Sequence, residues 1–209
     1  MVCHFPSAKK QEAATVAETA AAKADSITGQ KPRVADRAKV KAREDFETAA
    51  TQRAHVDQTS IDQARKAVEE EAKRRPYVVD FYDEPRGPFY KPDWAQGGQI
   101  AVLINRQHPF FQTLYAPLLN LVHGGAAKQA LDVLLIALAR AELAIEDETC
   151  AAWYETQRER AWSPFLADAY KMLQQSTAAV DEETAEAGED EDDGTDGVGA
   201  EPVAMAAAE

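Results

Sequence analysis

The chain has 209 residues, 45% of them hydrophobic, and a formal net charge of -13; that is room for one ordinary domain with appendages, not for two full enzymatic domains. The acidity is local: residues 181–209 carry twelve acids and no Lys or Arg, so residues 1–180 set 24 acids against 23 bases. The longest uninterrupted apolar run, Val133 to Ala139, falls far short of the ~20 residues of a membrane span, and two cysteines, Cys3 and Cys150, argue against a disulfide scaffold.

Residues 1–10 lack the apolar stretch of a secretory signal, which makes a cytoplasmic protein the expectation. Residues 1–75 are rich in Ala, Lys, Arg, Glu and Gln, a helix-forming but core-poor composition that predicts an N-terminal helical arm. Helices are expected over residues 9–24, 36–54 and 61–75, separated by Ile27-Thr28-Gly29-Gln30-Lys31-Pro32 and by Val56-Asp57-Gln58-Thr59-Ser60. Ser60 and Gln63 form a capping-box pattern for the third helix, and Pro76 supplies its stop.

Character changes at Pro76. Fourteen of the sixteen aromatic residues lie between Tyr77 and Tyr170, so a globular domain is expected over residues 76–177. Residues 77–83 read as a strand, residues 89–91 as a short middle strand and residues 99–105 as a third, with turns at Glu84-Pro85-Arg86-Gly87-Pro88 and at Trp94-Ala95-Gln96-Gly97-Gly98. Neighbouring strands joined by such short loops are expected to be antiparallel.

Beyond Asn105 the period becomes helical. Pro109 opens a helix that Pro117 kinks or ends. Residues 126–145 form the strongest helix of the chain, with Leu131, Leu134, Leu135, Leu138, Glu142 and Ile145 near one face that is expected to be central. A further helical region starts at Glu148 and is interrupted at Ser163-Pro164, where Ser163 can cap a fresh turn. It ends near Gln175. Cys150, beside Ala151 and Trp153, reads as a small buried hydrophobe. Residues 178–209, with the run Glu189-Asp190-Glu191-Asp192-Asp193, read as a disordered acidic tail. The fold class is therefore α+β, a small antiparallel ribbon packed on three or four helices.

Chemistry is sparse. The chain has no phosphate-binding loop, no dinucleotide glycine fingerprint and no nucleophile elbow, so no cofactor and no catalytic residue is assigned. Its four histidines have no Cys or His at zinc spacing, so no metal site is assigned. The basic residues of the N-terminal helices are interleaved with Glu and Asp, which argues against direct binding of nucleic acid. One candidate junction remains, Arg86 on a turn with Asn105, Arg106 and His108 between a strand and a helix. Such a group can meet an anion at a helix N-terminus. It can equally satisfy local backbone, Asn105 a turn amide and His108 a buried carbonyl.

The order Tyr77-Val78-Val79-Asp80-Phe81, Gly87-Pro88-Phe89-Tyr90, Ile100 through Asn105-Arg106-Gln107-His108-Pro109-Phe110-Phe111 to Tyr115, and Leu131 through Arg140 to Leu143 resembles the C-terminal region of bacterial and phage ATP-binding proteins of the GHKL type (gyrase, Hsp90, histidine kinase, MutL). The resemblance covers about residues 35–175. In that family the catalytic Glu, the magnesium-holding Asn and the glycine motifs lie in a preceding Bergerat ATPase domain, and none of them occurs here, so no catalytic role transfers. What the resemblance implies is a non-catalytic accessory or regulatory module that binds a protein partner, either a GHKL-type ATPase or itself. The alternative is a self-associating scaffold protein.

Overall fold

The computed structural model describes residues 13–121 and 124–186, with side chains to residue 176. Seven α-helices and three strands run in the order α1 (Val16–Thr28), α2 (Lys39–Asp57), α3 (Ile61–Arg74), β1 (Tyr77–Tyr82), β2 (Tyr90–Ala95), β3 (Gln99–Asn105), α4 (Ala116–Asn120), α5 (Gly124–Leu143), α6 (Glu148–Gln157) and α7 (Ser163–Glu186). This is the expected α+β class, a small sheet packed on helices.

Local chemistry sets many of the ends. Ser60 and Gln63 make both bonds of the capping box at α3, and Thr15 and Glu18 build a second one at α1. Asp147 accepts from the Cys150 amide at 2.7 Å and so caps α6. Two helices widen into a single π turn, Phe111–Tyr115 before α4 and Arg158–Trp162 before α7. The first stands just ahead of Pro117, which has no amide to donate, and the helix continues past that proline to Asn120.

The sheet is mixed, and the expected antiparallel ribbon is corrected accordingly. Its order is β1-β3-β2, with β3 parallel to β1 (Tyr77 opposite Ile100, Tyr82 opposite Asn105) and antiparallel to β2 (Tyr90 opposite Ile104, Ala95 opposite Gln99). Residues 83–89 do not turn back on β1; they cross the end of β3 and deliver the chain to its far side. Only the β2–β3 connection is a tight turn, and it requires glycine. Gly97 and Gly98 have φ of 71° and 84°, and a Cβ on Gly97 would lie 2.7 Å from the Cβ of Ala72 on α3. The middle strand is β3, and β2 is an edge, which is why it tolerates Pro92.

The core gathers Tyr77, Tyr90, Trp94, Ile100, Val102 and Ile104 of the sheet with Phe89, Phe110, Tyr115 and the inward residues Leu135, Ile136, Ala139 and Leu143 of α5. The described N-terminal helices fall in the same compact unit as the sheet, a unit that ends at Lys171. Helix α1 packs on α5 and β1, while α2 and α3 pair with each other and close over the β2–β3 turn. Polar anchors complete the attachment. Buried Glu18 accepts from Arg75 Nε at 2.8 Å and from the Val79 amide at 2.9 Å, and buried Asp25 accepts from the Tyr77 hydroxyl and pairs with Arg140 at 3.2 Å. A core-poor composition thus docks through a few alanines and two buried carboxylates rather than through a broad apolar stripe.

A second unit starts at Met172, and its described residues continue as helix to Glu186. The tail expected from residue 178 therefore begins as helix; its acidic run, residues 189–193, lies outside the described residues. Cys150 is exposed, not buried, because α6 turns that position to solvent.

Candidate functional site

The strand-to-helix junction was the sequence's main candidate, and its geometry is that of a clamp. Asn105, fully buried at the end of β3, uses its whole amide: Oδ1 accepts from the Glu84 amide at 3.2 Å and the Gln107 amide at 3.1 Å, while Nδ2 donates to the Glu84 carbonyl at 2.9 Å and the Gly87 carbonyl at 3.3 Å. Three of these four groups belong to the crossing loop, which has no strand partner of its own, and the fourth, the Gln107 amide, lies just past β3. Asn105 pins the crossover that makes the sheet mixed.

His108 is buried one turn further on. Its Nδ1 accepts from the Phe110 amide at 3.1 Å, so the ring proton sits on Nε2 and is donated to the Ser163 carbonyl at 3.0 Å. Burial pushes its pKa below the ordinary 6.5, opposed by the bond to Ser163 and aided by Lys171. The fold therefore holds a neutral ring, whereas the unfolded chain takes up a proton as pH falls through about 6.5. Stability is present above that pH and declines below it, down to the lowered pKa of the folded state. Melting temperature is expected to fall between pH 7 and pH 5, and more steeply than in His108→Gln measured side by side; parallel curves would contradict this account.

Arg86 and Arg106 lie exposed at the rim, Arg86 with a positive φ of 64° and Arg106 paired with Asp83. The structure brings Asn105 and His108 to one buried corner and leaves the two arginines at the surface, so the four do not converge on a common point.

Behind this corner lies a network that sequence reasoning missed. The Ser163 hydroxyl donates to the Arg158 carbonyl at 2.7 Å, across the π turn, and accepts from the Phe89 amide at 3.1 Å. Ser163 therefore does not cap a fresh turn; its amide closes the π turn on the Arg158 carbonyl and its hydroxyl donates to the same oxygen. Buried Arg158 pairs with buried Glu142 of α5, whose other oxygen takes the Tyr90 hydroxyl at 3.3 Å. Asp132, fully buried one helix segment earlier, accepts from Tyr115 and from Lys128, both at 2.6 Å. Burial raises the Tyr115 and Tyr90 hydroxyl pKa values, with the facing carboxylates reinforcing the shift. These tyrosines stay protonated and donate.

Those two acids decide which way α5 faces. Its inward side is Asp132, Leu135, Ile136, Ala139, Glu142 and Leu143, so Leu134 and Leu138, expected in the core, point to solvent. The exposed positions between residues 126 and 141 are Ala126, Ala127, Ala130, Val133, Leu134, Ala137, Leu138 and Ala141, with no charged or polar side chain among them. Spaced by three and four, they form one stripe about 22 Å long at 1.5 Å per residue. In a chain 28% charged that face is unusual, since single exposed leucines are ordinary and a continuous apolar stripe is not. The available signal was the helix's apolar character all round, which implies cover on both sides. A smaller aromatic surface, Trp153, Tyr154 and Trp162, lies on α6 and the second π turn.

Among the described residues no group of three or more His, Cys, Asp or Glu is placed to hold a metal ion, and no helix is long and apolar enough to cross a membrane. Compared with known proteins, the chain matches no family model, no curated protein and no solved structure.

Proposed function

We propose that this chain is a non-catalytic accessory module that works by binding protein. The observation that carries the reading is the apolar outer stripe of α5, with Leu134 at 55% and Leu138 at 42% exposure. The junction around Asn105 and His108 supports it from the other side, because its polar atoms are consumed in holding the crossover loop and the α6–α7 turn. A group whose hydrogen bonds are already made by backbone is poorly placed to bind or move a proton on a substrate. The resemblance to the C-terminal region of GHKL-type ATPases suggests the setting, a bacterial or phage system in which such an ATPase is encoded separately.

The test compares the wild type with a Leu134→Glu, Leu138→Glu double variant, each tagged and purified from the native host for mass spectrometry. A protein partner, either a chain carrying Bergerat ATPase motifs or the untagged host copy of this chain, is expected with the wild type and is lost from the variant. Identical protein content in the two samples would refute the reading.

A further inference from the structure

We infer that the outer stripe of α5 is covered by a second copy of this chain, the two α5 helices packing antiparallel about a two-fold axis near Leu134. The inference rests on the reading of this face as a protein-binding surface and names its occupant.

Charge favours a like partner. Residues 1–180 are almost neutral, 24 acids against 23 bases, so two copies of the folded unit meet without net repulsion, and the stripe itself offers no charge for a dissimilar partner to complement. Its ends are complementary in the antiparallel sense. The C-terminal end of α5 is followed by Glu146-Asp147-Glu148, all exposed, while the N-terminal end opens with Gly124-Gly125. Antiparallel packing sets the acidic end of each helix beside the partially positive amide end of the other; parallel packing stacks acid on acid.

Shape agrees. Ala127 and Ala141 stand seven residues either side of Leu134, and Ala130 and Leu138 four residues either side. A two-fold copy therefore places Leu138 over Ala130 of the second copy, a large residue on a small one, and lets the helix ends approach over alanine. A two-fold contact is self-complementary and closes at two copies, which a sticky face on a soluble chain needs in order not to polymerise.

Sedimentation of the full chain over a dilution series tests this. The expected mass is twice 22.9 kDa at high concentration, falling toward one copy on dilution, with the Leu134→Glu, Leu138→Glu variant monomeric throughout and its circular dichroism unchanged. Orientation is read by cysteine cross-linking in a Cys3→Ser, Cys150→Ser background. Mixed Ala127→Cys and Ala141→Cys chains should oxidise to a covalent dimer, and Ala127→Cys alone should not. Self-linking of Ala127→Cys alone would overturn the antiparallel arrangement. A wild type that stays at 22.9 kDa at every concentration would overturn the second copy as occupant. If such a monomer still loses a bound ATPase on Leu134→Glu, Leu138→Glu substitution, the protein-binding reading survives; if it loses nothing, both fall.

Discussion

Replacing Arg158 by Ala is expected to cost about 3–5 kcal/mol, because it leaves the Glu142 carboxylate buried without its cation. For a chain of this size each kcal/mol is worth roughly 2–4 °C, so melting should fall by on the order of 10 °C or more. Glu142 sits on the inward face of α5 and also receives the Tyr90 hydroxyl, so the lost pair would loosen the seam joining α5, β2 and the π turn before α7. Removing both charges at once, Arg158→Met with Glu142→Leu, should recover part of the loss, since two apolar side chains of similar volume need no partner, the remainder being the Tyr90 hydroxyl left without its acceptor. Thermal denaturation of the wild type and the two variants followed by circular dichroism is the measurement. A single variant that melts within a degree or two of the wild type would show that the pair is not what holds this seam.

Asn105→Ala is the second large effect. It deletes four hydrogen bonds to the backbone of residues 84, 87 and 107, and each buried group left unpaired costs about 1–3 kcal/mol, so the total loss is expected at about 3 kcal/mol or above. Asn105→Asp separates the parts. It keeps the two accepted bonds, gives up both donated ones and adds a buried charge, so it should also be strongly destabilised and should worsen as pH rises above the carboxylate range. Hydrogen exchange at the amides of Glu84 and Gln107 locates the damage, with faster exchange expected there than along β1. An Asn105→Ala protein of wild-type stability would mean that the crossover loop is held by other contacts. The residue would then be free to serve a ligand.

Local reasoning carried well where chemistry is local. The capping box at Ser60, the stop at Pro76, the glycine turn before β3 and the change of character at Tyr77 follow from side chains acting on their own backbone within a few residues. The α+β class follows from the strand-like and helical periods that these signals bound. Pairing within the sheet does not. Loop length suggested a meander, but the seven residues after β1 cross β3 because Asn105, more than fifteen residues away in sequence, supplies the hydrogen bonds that a crossing loop lacks.

The orientation of α5 shows the same division most sharply. With Leu, Ile, Val and Ala on every side, its periodicity marks a helix but no unique inner face. What turns it is the need of Asp132 and Glu142 for Tyr115, Lys128, Tyr90 and Arg158, and those partners come from four separate stretches of chain. Burying an acid without a partner costs more than exposing a leucine, so the acids go inward with their donors and Leu134 and Leu138 are left outside. By itself the sequence determined the α+β class and the ends of α3, β1 and β3, while the first helix starts later and β2 runs longer than its local signals indicate. Tertiary structure alone decided which side of α5 meets the core and which is left exposed, because only it assembles the donors that pair with the buried carboxylates.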